Sequence, residues 1–165
     1  MSIKFINNSA KVKAELHDAI LDWIVEGTGE LQARTKKNSR PVTYNGHDVK
    51  NSWDRHIDNE NLEGQIGSAL EAAYWEEFGT GEYALNHDGR KGWWVYVTGN
   101  ETPSKNQKKY KKDEAIKVMA MLRSKNLDAH ITHGSKPNRP LHTAYTVLKN
   151  PIIKKAESIF KARFK

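Results

Sequence analysis

The sequence predicts an α+β domain: a small, mostly antiparallel sheet packed by an N-terminal and a C-terminal helix. Three observations carry this expectation. Apolar residues recur at three- and four-residue steps near both ends of the chain, the period of a helix buried on one side. Between the ends, short stretches alternate apolar and polar residues around turn formers, the period of strands. Five Trp, six Tyr and four Phe supply core bulk to a chain of 165 residues that is otherwise 28% charged. That length reads as a single domain over 1–165, with a lysine-rich insertion at about 101–126.

The first helix is expected over 9–26, continuing thinly to Ala33 at most. Val12, Leu16, Ala19, Ile20, Trp23 and Leu31 form its stripe, and Asn8 or Ser9 can accept a hydrogen bond from a free first-turn N–H. Gly27 and Gly29 weaken it by about 1 kcal/mol each relative to Ala. Residues 35–51 are polar, contain Pro41 and the turn pair Asn45-Gly46, and read as a loop.

Two strands follow at 52–58 and 62–70. Trp53, Arg55 and Ile57 alternate with polar neighbours, as do Leu62, Gly64 and Ile66, and Asn59–Asn61 suits a hairpin loop. Residues 71–78 read as a short helix stopped by Gly79-Thr80-Gly81, where glycine permits the positive φ that ends a helix sharply. The run WWVYVT at 93–98 is the clearest strand.

After a solvated loop at 99–112, Asp113 opens a helix to about Lys125, with Ile116, Met119, Ala120 and Arg123 along one side. Leu127–Thr132 reads as a strand and 134–140 as a turn. Leu141 starts the last helix, whose stripe is Tyr145, Leu148, Ile152, Ala156, Ile159 and Phe160. Pro151 is expected to kink or split it, by removing a hydrogen bond and clashing one turn back.

Composition excludes several functions. There is no cysteine, so disulfides, thiol catalysis and the common structural zinc sites are out, in keeping with a reducing compartment. No apolar run has the length of a membrane span, and the N-terminal residues lack a signal-peptide pattern. The net charge of +7 conceals an asymmetry: residues 1–104 carry 11 Lys/Arg against 16 Asp/Glu, and 105–165 carry 16 against 4. Such a split points to an acidic partner or nucleic acid at the C-terminal part, or to halves that offset each other within the fold.

Catalytic constellations are thin. His130 and His133 are the best candidates, but on a strand they point to opposite faces, and no carboxylate completes a metal site. Glu76 and Glu77 are adjacent on a helix, about 100° apart, which is not a paired-carboxylate arrangement. Gly79-Thr80-Gly81 is too short for a phosphate loop and lacks its lysine. No nucleophile stands beside a base and an orienting group, so neither enzyme chemistry nor a cofactor is expected. Lys105, Lys108, Lys109, Lys111 and Lys112 surround Tyr110. Lysines neutralise phosphates and an aromatic stacks on a base, so the stretch is a candidate nucleic-acid or partner contact, or a solubilising loop.

One arrangement is more specific than any of these. Val49-Lys50-Asn51-Ser52-Trp53 leads a strand. Tyr74-Trp75-Glu76-Glu77-Phe78-Gly79-Thr80-Gly81 follows a glycine-containing second strand. Asn138-Arg139-Pro140-Leu141 precedes the terminal helix. In these segments the chain resembles the tail-completion and head–tail-joining (neck) proteins of long-tailed bacteriophages. The match is closest at YWEEFGTG, looser at the strand start leading to Ser52, and lacks the usual aromatic near Pro140 and Leu141. It covers about 9–100 and 134–162. The resemblance implies a structural, non-enzymatic virion protein of the neck or proximal tail, assembled in the bacterial host cytoplasm. It would form a ring with copies of itself around the DNA channel and bind neighbouring neck or tail rings. Two other readings of the residues stand beside it: a small basic nucleic-acid-binding protein, and a phosphoesterase or nuclease using His130, His133 and His142.

Overall fold

The computed structural model describes residues 7–44, 46–98 and 108–164. Their elements run α1 (Ser9–Asn38), β1 (Thr43–Tyr44), β2 (His47–Asp48), β3 (Asp54–Asp58), β4 (Glu63–Gly67), α2 (Glu71–Phe78), β5 (Trp94–Val97), α3 (Lys112–Arg123), β6 (Ala129–Thr132) and α4 (Pro140–Arg163), with a 3-10 turn at Gly81–Tyr83. The class is α+β, with antiparallel strands and long helices at both ends. The strands form separate two-stranded ladders, β1–β2, β3–β4 and β5–β6. The chain divides into two compact units: the N-terminal residues to Asn38 with Lys50–Ala69 and the residues from Pro140 onward, and Ser39–Val49 with Leu70–Arg139.

In the first unit α1 packs against α4 and the β3–β4 hairpin. The hairpin has the register the alternation implies, Arg55 opposite Ile66 and Ile57 opposite Gly64. Its loop is closed by Asp58, which accepts hydrogen bonds from the backbone N–H of Glu60 (2.9 Å) and Asn61 (3.0 Å) and from the Asn61 side chain (2.7 Å). The Asn61 backbone donor and then its amide hold the Asp58 carboxyl below its ordinary pKa.

α1 is longer than expected. It continues through Gly27 and Gly29 to Asn38 and takes in the first residues of the region read as a loop. The glycines serve packing: a Cβ at Gly27 would press on Ile152 of α4, and one at Gly29 on the Arg55 guanidinium. Close approach of neighbouring elements outweighs the local propensity cost. The Trp23 indole N–H donates to the Ile152 carbonyl at 2.7 Å. α4 is not split at Pro151. Buried Ala144 lies on one side of the proline, and half-buried Ile152, Ala156, Ile159 and Phe160 lie on the other. Packing on both sides holds the turns in register despite the missing bond. Tyr145, Val12 and Leu16, placed on stripes by periodicity, are exposed.

Part of the C-terminal basic excess is met between these two helices. Arg163 of α4 pairs with Asp22 (3.1 Å) and Asp18 (3.9 Å) of α1, and Lys155 with Glu26 (2.8 Å) and Glu30 (2.5 Å). The hydrogen bonds that Lys155 donates to Glu26 and then to Glu30 push its pKa up to about 12. A raised pKa contributes stability that is complete below the ordinary value of 10.5 and is lost as pH climbs through about 12. The expected outcome is that the parent loses stability across that interval more steeply than Lys155→Met in urea titrations. Equal slopes would contradict the pairing.

In the second unit β5 and β6 pair antiparallel, Trp94 with Thr132 and Tyr96 with His130. Val95, Ala115 and Ala129 form the core, with Trp93, Val97, Tyr110, Val118, Met119, Leu122 and Ile131 around it. The packed face of α3 is therefore Ala115, Val118, Met119 and Leu122. Of the expected stripe only Met119 belongs to it, and Ile116 is exposed. α3 lies within the region read as an insertion, yet it supplies this core.

Candidate functional site

The segment Tyr74–Gly81 is built as a clasp. Ala72 and Ala73 are buried, while Tyr74 and Phe78, one turn apart, bring their rings to 4.7 Å. Phe78 and Trp75 are half-buried and Tyr74 is exposed, its hydroxyl accepting a hydrogen bond from Asn86. α2 ends where the Gly79 N–H donates to the Trp75 carbonyl at 2.8 Å. Gly79 then takes φ +75° and Gly81 φ +61°, as the sequence required of a sharp stop.

Between them Thr80 is extended and zips to the loop after β6. Its N–H donates to Ser135 O (3.0 Å), and its hydroxyl accepts from the Ser135 N–H (2.9 Å). The Glu82 N–H donates to His133 O. There is no room for a Cβ at either glycine. A Cβ on Gly81 would collide with the His133 carbonyl and the Gly134 backbone, and one on Gly79 with Pro137 and the Tyr83 carbonyl.

Glu76 and Glu77 are both buried, at 7% exposure. Glu76 anchors two distant segments. Its Oε1 accepts from the Arg40 N–H at 2.6 Å and from the Asn138 side-chain amide at 2.8 Å. Its main-chain carbonyl accepts from the N–H groups of Asn138 and Arg139. The other family-motif residues lie in the first unit: the Ser52 hydroxyl accepts from Ser68 at 2.7 Å, Pro140 is fully buried and Leu141 is half-buried.

Lys108, Lys109, Lys111 and Lys112 flank an extended stretch in which Tyr110 bridges to Trp93, and Lys105 lies outside the described residues. Lys108 sits over the Tyr110 ring at 5.4 Å and Lys112 over Trp93 at 5.4 Å. Nearby, Lys136 sits over Tyr83 at 5.7 Å and Arg90 over Trp94 at 5.0 Å. In contrast to Lys155 and Arg163, none of the four described loop lysines forms an ion pair among the described residues. The sequence marked the lysines and Tyr110. It did not mark the rings of Trp93 and Tyr83 that face Lys112 and Lys136, because these pairs join residues far apart in the chain.

The two histidines do not converge. His133 bonds the Tyr83 hydroxyl at 2.8 Å and packs on Trp93 at 4.2 Å. His130 pairs with Asp128 at 2.9 Å and stacks on Tyr96. The Thr98 hydroxyl and then His130 keep the Asp128 carboxyl below its ordinary pKa. His142 lies in the first unit, on α4. Among the described residues no group of three or more His, Asp or Glu is placed to hold a metal ion, and no helix is long and apolar enough to cross a membrane.

The first unit carries a groove of about 420 Å³ lined by Ile20, Trp23 and Ile24 of α1, Leu62 beside the hairpin, and Ile152 and Ile153 of α4. No residue marked in the sequence as catalytic or binding lies in it. Comparison of the chain with family models, curated proteins and solved structures found no match.

Proposed function

We propose that the protein is a structural, non-enzymatic subunit of a phage neck or proximal tail, joining tail to head as one member of an oligomeric ring around the DNA channel. The observation that carries the reading is the clasp. The segment in which the chain resembles neck proteins spends its chemistry on shape: two glycines at positive φ and a threonine hydroxyl bonded to Ser135. A ring subunit needs such a rigid element, and it needs apolar surface for its neighbours. In the first unit Val12, Leu16, Val25, Tyr145, Val147, Ile153 and Phe164 are exposed and available to neighbours. Lys155 and Arg163 of α4 already pair with acids of α1 within one chain, so these two charges do not argue for ring-to-ring contact. Native mass spectrometry, alone and with candidate neck partners, tests the proposal.

A second reading, nucleic-acid binding, is favoured by the loop lysines that form no ion pair among the described residues, two of which, Lys108 and Lys112, lie over aromatic rings. The same lysines would serve docking on an acidic ring.

A further inference from the structure

We propose that the first two turns of α1, which carry Val12 and Leu16, dock as an arm into the apolar groove of the first unit of a second copy of this chain. The inference deepens the ring reading and rests on it for a protein that assembles with its own copies.

Packing within the first unit leaves the start of α1 uncovered by the other described elements. α4 runs antiparallel to α1: Asn38 meets Pro140, Gly27 meets Ile152 and Asp22 meets Arg163. α4 ends at Arg163, beside Asp18 and Asp22, and the β3–β4 loop reaches His17 through the Asn59 carbonyl. Ser9–Leu16 therefore extends past both, by about 12 Å of helix. Every residue from Ser9 to Ala14 is exposed. Val12 and Leu16, one turn apart on a common face, are 49% and 42% exposed.

The groove, of about 420 Å³, begins at Ile20, one turn further along the same stripe, and is walled by Trp23, Leu62 and Ile152. Tyr145 and Ile153 stand at its edge, 56% and 58% exposed. Inside it the polar groups are already bonded. The Thr28 hydroxyl donates to the Ile24 carbonyl at 2.7 Å, and the Trp23 indole N–H to the Ile152 carbonyl. A small ligand needs such groups to orient it, whereas the apolar face of a helix does not. The arm cannot fill the groove of its own chain. Val12 and Ile20 lie on one unbroken helix, about 12 Å apart, so an arm reaches only the groove of another copy.

Charge fits the two surfaces to each other. At about 100° per residue, Lys13 and Glu15 flank the Val12–Leu16 stripe on opposite sides. The groove presents Glu63 on its hairpin side and Lys149 on its α4 side. Lys13, Glu63 and Lys149 form no ion pair among the described residues. Glu15 has a 3.8 Å contact with exposed Lys11, a kind of surface pair that contributes little. An arm seated with Lys13 toward Glu63 places Glu15 toward Lys149, so one orientation satisfies both. Arm and groove are different surfaces, so each docking leaves one of each free, and repetition builds a ring when the rotation closes.

The test is sedimentation velocity of the full chain across a concentration series, with an arm variant, Val12→Glu with Leu16→Glu, and a groove variant, Ile153→Glu. All three positions are exposed, and thermal melting verifies that each variant is folded. The parent is expected to self-associate. Burying the exposed halves of Val12 and Leu16 is worth about ten- to a hundredfold in association, so the arm variant should lose at least that. The groove variant should also be weakened. Mixed in equal amounts, the two variants should form a one-to-one pair, because one keeps its groove and the other its arm. If both folded variants associate as the parent does, the docking is overturned while the ring reading stands on another surface. If each is weakened but the mixture forms no pair, like surfaces were meeting and the docking is again overturned. A parent that stays monomeric also overturns it, whereas the neck reading falls only if the monomer persists with neighbouring neck or tail proteins added.

Discussion

Replacing Gly81 with alanine should destabilise the protein by about 2–5 kcal/mol. A non-glycine residue in the left-handed region costs about 1–2 kcal/mol, and forcing a methyl group into a packed site adds about 1–3 kcal/mol. Both apply at Gly81: φ is +61°, and its Cβ would meet the His133 carbonyl and the Gly134 backbone, neither of which is the movable end of a side chain. Gly79→Ala should behave similarly, against Pro137 and the Tyr83 carbonyl. Gly67 is the internal control, because a Cβ there meets nothing and its φ is ordinary. Gly67→Ala should be neutral or stabilising by a few tenths of a kcal/mol. Thermal melting of the three variants decides the matter, with a fall of roughly 5–15 °C expected for Gly81→Ala. If Gly81→Ala melts with Gly67→Ala, the clasp is not the rigid element described.

Glu76→Ala should cost about 2–4 kcal/mol, because a buried donor stripped of its acceptor loses its full solvation. The loss falls on the Arg40 N–H and the Asn138 amide, 36 and 62 residues from Glu76 in sequence. Glu76→Gln keeps an acceptor oxygen of the same reach and should recover about half of the loss. Urea denaturation of the two variants separates the outcomes. Equal, small effects of Ala and Gln would mean that the carboxylate does not organise these segments.

The contrast between these two sites shows what a sequence can disclose. Gly79-Thr80-Gly81 was legible because glycine chemistry is local: a helix stop between apolar stretches needs positive φ wherever it occurs. The β3–β4 hairpin was legible for the same reason, its register following from alternation across a short loop. The burial of Glu76 was not, because its partners come from remote segments. Local pattern suggests that one of the two acids caps a backbone group, as Glu76 does for the Arg40 N–H, but it does not say that the group is remote or that Tyr74 is exposed while both acids are buried.

Gly27 and Gly29 misled for a related reason. In isolation they weaken a helix, but here they admit Ile152 and Arg55, and α1 runs on to Asn38. The packed side of α3 was displaced because the helix begins beside the Trp93–Tyr110 bridge, a pairing across residues 94–109 that periodicity within the helix does not reveal. The pairing of Lys155 and Arg163 with acids of α1 was one of the two outcomes the charge asymmetry allowed. Choosing between them required knowing that the two ends of the chain lie side by side.

The central claim is that this chain is a structural subunit that works by assembling. Native mass spectrometry of the full-length protein, alone and mixed with portal-side and tail-side proteins encoded near it, tests that claim most directly. The expected result is a closed oligomer of fixed copy number, formed by the protein itself or on addition of a neighbouring ring. A strict monomer under both conditions would contradict it.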